Sequence, residues 1–247
     1  MSNAGEGPRG SSRRATTWIG FDDGPAPRPP LTPRRIVEAA LHVVDENGLE
    51  SLTIRQLGPE LGVTPMAIYG HFANKEQLLD CMLDFVLGEV DLEPPDADPL
   101  DAVLSIVADV DRVLIGHQGI ARVYGGSVRI GPNGLRVLDS VLGHLLRAGL
   151  DPPTASMALL ALYTYTMGHH QIGRVLPVEG GEGEGPMGFL SALPPDQVPN
   201  VVHAGAHFFA AGSRAQRFRM GLDLLIAGLR GRVAATGATR GPGPAPA

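Results

Sequence analysis

The chain has 247 residues, 43% of them hydrophobic and only 5% aromatic, with a formal net charge of −6. That apolar content allows a substantial core in one or two domains, and the acid excess excludes a protein that coats nucleic acid through bulk positive charge, though not a specific reader with a local basic patch. No run of about 18 uncharged apolar residues offers a membrane span, no apolar N-terminal core marks the chain for export, and the single cysteine, Cys81, excludes an intrachain disulfide, so a cytoplasmic protein is expected.

Glycine and proline, 33 and 22 in number, gather at roughly 1–33, 177–200 and 237–247. The remainder is rich in Ala, Leu and Val with few turn signals, which predicts helices. Residues 1–31 read as a flexible arm carrying Arg9, Arg13, Arg14 and Arg28, with one apolar island at Trp18, Ile19 and Phe21. The arm is a plain extension, reaches along DNA, or docks its island on the body.

The character changes at Thr32-Pro33, a cap followed by a proline at the first helical position. Ile36, Ala40, Val43 and Val44 keep helical spacing until Asn47-Gly48 stops it. Thr53 with Gln56 forms a capping box for a second helix that carries Leu57 and Leu61 on one face and ends at Gly62. Pro59, which cannot donate its backbone hydrogen bond, predicts a kink or an early frayed end, and Gly58 adds flexibility. Thr64-Pro65 repeats the cap-and-proline start, and Asn74 with Gln77 opens a fourth helix along Leu78, Leu79, Met82, Leu83 and Val86. Cys81 reads as a small apolar filler on that helix. Two short helices joined across Leu61-Gly62-Val63 outline a helix-turn-helix.

Further helices are expected at about 98–117, 134–149, 153–175, 196–211 and 213–233. Ala158 to Leu162 are apolar on every side, which predicts burial from several directions. His203 and His207 lie four apart without the acid of a zinc protease and read as polar residues near an interface or pocket. His169 and His170 diverge by about 100° on a helix and cannot readily share an ion. The acidic, glycine-rich run 179–185 lacks the Lys and Ser/Thr of a phosphate cradle. No nucleophile elbow, Walker motif or dinucleotide fingerprint is present, so no enzyme, cofactor or metal is expected.

Leu52-Thr53-Ile54-Arg55-Gln56-Leu57, Leu61-Gly62-Val63, Ile68-Tyr69-Gly70-His71-Phe72 and Asn74-Lys75-Glu76-Gln77-Leu78-Leu79 together resemble the DNA-binding domain of tetracycline-repressor-type regulators. Ala121 to Gly125, Leu145 to Gly149, Thr166-Met167-Gly168 and Phe218 to Leu229 resemble that family's regulatory domain in order and spacing. The resemblance implies an all-α protein. Its helix-turn-helix domain would span 32–78, a larger helical ligand-binding and dimerisation domain 79–235, and a flexible tail 236–247.

By that resemblance, Thr64, Pro65, Met66 and Ala67 form the tip that enters the major groove. Arg55 reads guanine, and Tyr69, His71, Lys75 and Thr53 hold phosphates. Residues 32–90 nevertheless hold more acids than bases, so the bases must gather on one side or the arm must contribute. The 153–175 and 213–233 helices would form the bundle of a homodimer. Tyr124 stands where the family's metal-binding histidine belongs and Ile172 where its glutamate belongs, which argues against a magnesium–tetracycline chelate. A mostly apolar effector is expected instead, held by Val110, Val128, Leu138 and Val141 with polar contacts from His117, Tyr124, Tyr163, His170 and Gln171. The implied function is a repressor that binds a palindromic operator and is released by a small molecule. The alternative is a helical small-molecule-binding protein that no longer reads DNA.

Overall fold

Thr32 opens the first helix through its side chain, whose hydroxyl accepts the Arg35 N–H at 3.3 Å. Pro33 then takes the first position of α1 (Pro33–Asn47), where a missing N–H leaves no bond unmade. The computed structural model describes residues 29–95, 98–121, 130–172, 193–204 and 212–239, and every regular element among them is helical. The chain divides into two compact units, Met1–Leu31 and Thr32–Ala247. All the helices belong to the second.

α1 buries Ile36, Val37, Ala40, Leu41 and Val44. A single 3-10 turn, Leu49–Ser51, leads into α2 (Ile54–Leu61), α3 (Pro65–Tyr69) and α4 (Lys75–Leu87). The Thr53 hydroxyl accepts the Gln56 N–H at 3.2 Å and donates to Gln56 Oε1 at 3.0 Å. Asn74 accepts from the Gln77 N–H at 2.8 Å, and Gln77 reaches back to the Ala73 N–H at 2.7 Å. Leu57, Ile68, Leu78 and Met82 have no exposed surface, and α1 packs on α2 and α4 while α2 packs on α3.

Four local expectations need correction. Pro59 does not fray α2: the helix runs to Leu61 and closes with Gly62 in the left-handed region (φ 67°). The Val63 N–H donates to the Gly58 carbonyl at 2.8 Å and the Gly62 N–H to Pro59 at 3.1 Å, so two late carbonyls are satisfied by the turn itself. Gly58 serves a close approach rather than flexibility, because a Cβ there would stand 2.9 Å from the Val63 carbonyl oxygen. At α3 the Thr64 side chain makes no cap bond. The Ala67 N–H bonds to the Thr64 carbonyl at 3.0 Å and leaves the hydroxyl out of the cap. Cys81 is exposed on α4 rather than a core filler, and partial burial together with Asp80 and Asp84 raises its thiol above the ordinary value.

The larger part is built around α5 (Pro99–Gly116), followed by α6 (Gln118–Ala121), α7 (Pro132–Arg147), α8 (Pro152–Ile172), α9 (Pro199–Ala204) and α10 (Arg214–Thr239). α5 packs on α4, α6, α7, α8 and α10 and buries ten of its own residues. α7 lacks a side-chain cap of its own; Asp84 of α4 supplies one, accepting the Gly134 N–H at 2.9 Å. α8 and α10 lie along each other, and the Tyr165 hydroxyl donates to the carbonyls of Phe218 (2.9 Å) and Arg217 (3.1 Å). Within α8 the expected all-round burial fails in the single chain. Ala158 and Leu162 are buried, but Leu160 is 62% exposed. No helix among the described residues is long and apolar enough to cross a membrane.

Candidate functional site

The turn at Gly62 sets α3 against α2 so that Thr53, Ile54 and Arg55 face Pro65, Met66 and Tyr69 across an open groove. Ile68 is pinned in the core, so the other faces of the five-residue helix point outward: Met66 is 76% exposed and Tyr69 50%. Thr64, Ala67 and His71 are exposed, and Lys75 is half-buried at the first position of α4. Thr53 and Arg55 therefore share one groove with Pro65, Met66 and Tyr69. Thr64, Ala67, His71 and Lys75 do not line it.

The side chains of Arg55, Tyr69, His71 and Lys75 take part in none of the ion pairs or hydrogen bonds among the described residues. Several acids of α1 are by contrast already engaged. Glu38 is held by Arg34 at 2.7 Å, Glu46 by His42 at 3.5 Å and Asp45 by His117 at 3.1 Å. The acid excess of residues 32–90 thus leaves Arg55 and Lys75 as uncommitted cations, while Arg34 is tied to Glu38 and lies over the Phe85 ring.

A second site is a cavity of about 350 Å3 where α1 meets the larger part. Val44, Asp45 and Gly48 form one wall; Leu114, Ile115, Gln118, Gly119 and Ala121, with His170, Gln171 and Arg214, form the rest. Of the expected effector contacts, His170 and Gln171 line it. Leu138 and Tyr163 line a separate pocket of about 60 Å3 between α4, α7 and α8. Val110 and Val141 are closed into the core. His117 is occupied by Asp45 and by Glu89 at 3.4 Å. Tyr124, Val128 and His207 lie outside the described residues, as do the arm's Trp18, Ile19 and Phe21. His203 is exposed on α9.

Of the cavity's polar end, His170 was expected from the sequence, but its partners Asp111 and Arg214 were not. Asp111, buried on α5, accepts from His170 Nε2 at 2.8 Å and from Arg214 Nη2 at 3.1 Å. Arg214 Nη2 also lies 3.1 Å from His170 Nδ1. Burial by itself would raise the Asp111 carboxyl, but the His170 hydrogen bond and the Arg214 charge outweigh it and hold the carboxyl below its ordinary value. Beside the cluster, burial and the Arg214 charge push His169 down to about 4, so its ring is neutral at pH 7. One signal existed in the sequence. An aspartate one residue beyond Val110, inside the apolar stripe of α5, demands a buried partner.

Residues 36–82 match the model for "Bacterial regulatory proteins, tetR family", and residues 93–233 match "Tetracyclin repressor-like, C-terminal domain". The class A tetracycline repressor of transposon 1721 from Escherichia coli is 28% identical over 82% of this chain and 92% of its own length. An HTH-type transcriptional regulator from Saccharopolyspora erythraea is 31% identical over 61% of this chain, and the chain spans 64% of that relative. Among solved structures, ActR from Streptomyces coelicolor in complex with (S)-DNPA superposes with a TM-score of 0.74 at 30% identity, covering 83% of this chain and 100% of that one. ActR in complex with actinorhodin gives the same TM-score and identity, covering 83% of this chain and 99% of that one.

Proposed function

Since the chain belongs to the tetracycline-repressor family of transcriptional regulators, we propose that it is a homodimeric repressor that binds a palindromic operator and is released by a mostly apolar small molecule. The observation that carries the DNA half is the groove joining Arg55 to Met66 and Tyr69, flanked by uncommitted side chains. Met66 and Ala67 suit thymine methyls, Thr64 a base or phosphate, and Arg55 the paired acceptors of guanine. Tyr69, His71, Lys75 and Thr53 suit phosphates, contacts that fix register without reading sequence.

Dimerisation is supported by the unburied faces of α8 and α10. Met157, Leu160, Met220 and Leu224 are large, apolar and exposed in the single chain. Isolated apolar residues on a surface mean little, but four on two adjacent helices form a patch that a second copy would cover. A two-fold dimer would hold its reading heads about 34–36 Å apart, one turn of DNA, or wider if the DNA distorts.

The effector half is supported by the cavity between α1 and the larger part, and by the small molecules held by the ActR structures. A ligand that favours the form with wrongly spaced reading heads shifts the population away from DNA. The coupling is on the order of 1–3 kcal/mol or more, and it acts equally in both directions. Selection from a random duplex pool at moderate salt tests the reading, with the native protein and Tyr69→Ala in parallel. One palindrome enriched by the native protein alone is the expected result; no enrichment at low or moderate salt sinks the repressor.

A further inference from the structure

Arg214 is only half used. Its Nη2 is taken up by Asp111 and His170, while its buried Nη1 has no hydrogen-bond partner among the described residues. Arg214 is also part of the lining of the 350 Å3 cavity. A buried donor left unpaired is costly, and a guanidinium cannot shed its proton to escape that cost. We propose that Arg214 anchors an anionic oxygen group of the effector, a carboxylate by class, with the effector's apolar body lying against Ile115 and the Gly48 end of α1. This rests on the effector reading above and deepens it.

The surrounding charges favour an anion at that end. Among the described residues Asp111 is the single carboxylate of the cluster, and it is shared between His170 and Arg214. Arg217 adds a second cation close enough to depress His169. The other carboxylate on the cavity wall, Asp45, is held on the α1 side by His117 at 3.1 Å. A carboxylate supplies the acceptor that Nη1 lacks, in a geometry the guanidinium fork favours. Seating the head group there carries the body towards Gly48, the residue that closes α1, so occupancy acts on α1 without any relay.

The probes are pyrenebutyric acid and its amide, alike in shape and differing in charge, read by fluorescence titration of the full chain. The native protein is expected to bind the acid at least about tenfold more tightly than the amide, the value of one charge-assisted hydrogen bond. Arg214→Met is expected to bring the two within about twofold. Equal affinities in the native protein, or a preference that survives Arg214→Met, overturns the proposal. Ile115→Trp leaves the ion cluster intact and fills the apolar part of the cavity, so it guards against misfolding of the arginine variant. It is expected to weaken both probes at least about tenfold, and undiminished binding places the probes elsewhere and overturns the proposal. DNA selection separates the two readings. A selected palindrome with no acid preference removes the head-group assignment and leaves the regulator. An acid preference with no palindrome removes the regulator and leaves the anion site.

Discussion

Gly119 of α6 lies directly against Val44 of α1, so closely that a Cβ on the glycine would overlap the valine side chain. His117, two residues earlier, binds Asp45 of α1 and Glu89 beyond α4. The end of α5 and the single turn of α6 therefore grip α1 and the segment that follows α4, and α1 in turn packs on α2, which carries the reading face together with α3. Close-packed contacts of this kind transmit a displacement rather than absorb it.

Gly119→Ala is expected to force α6 and α1 apart. A clash against a well-packed residue costs about 1–3 kcal/mol, visible as a lower midpoint in denaturant. Operator affinity should fall more than stability explains, because α1 is displaced even in the folded protein. Unchanged affinity in a folded variant would show that this contact does not set the position of the reading heads.

At the reading face, three substitutions should separate by kind. Arg55→Ala is expected to relax sequence preference at one guanine of each half-site, at a cost of about 1–3 kcal/mol. Lys75→Ala should weaken all sequences alike and reduce the slope of log affinity against log salt by about 1. Tyr69→Ala should also weaken all sequences, but with the slope unchanged, because a neutral hydroxyl releases no counterion. Titrations of one operator and its single-base variants at several salt concentrations read all three.

Asp84→Ala removes the cap that α4 lends to α7, leaving the Gly134 N–H without its 2.9 Å partner. The expected loss is about 1 kcal/mol of unfolding free energy. Asp84→Asn keeps an acceptor and should recover most of it. If both variants match the native protein, the contact contributes nothing to stability.

Acid should destabilise the protein through His169. Its folded value of about 4 lies below the 6.5 of an unfolded histidine, so the neutral ring favours the native state above pH 6.5. That contribution is lost as the pH falls from 6.5 towards 4, because the unfolded chain takes up the proton first. The ring is only partly buried, so the loss is on the order of 1 kcal/mol. His169→Phe keeps the ring packing against Tyr165 and Phe218 and should flatten the melting temperature across that window. A slope as steep as the native protein's refutes the assignment.

Leu224, 67% exposed, and Leu160 stand for the unburied faces of α10 and α8. A charge buried in a dimer interface without a partner costs several kcal/mol. Leu224→Glu is therefore expected to sediment as a folded monomer and to lose operator binding. A dimer that survives both Leu224→Glu and Leu160→Glu places the interface on another surface.

Thr32, Thr53 and Asn74 each set a helix start, and Gly62 a helix end, through contacts no more than five residues long. Such signals are complete within a short window, so the helix-turn-helix could be read residue by residue. The same window misjudged Pro59, because the bonds that close α2 are made by the turn beyond it. It misjudged Thr64, because a backbone carbonyl took the cap's place. Of the effector contacts expected by position, His170 and Gln171 reach the larger cavity, while Leu138 and Tyr163 line another.

By itself, then, the sequence determined where α1 to α4 begin and which residues crown the turn. The periodicity and capping that decide these act over three or four residues. The tertiary structure alone decided the cavity against α1 and the cluster of Asp111, His170 and Arg214. Arg214 lies 103 residues from Asp111 and 44 from His170. Burial of the aspartate created the demand for partners, and only the packing of α5, α8 and α10 determined which side chains could meet it.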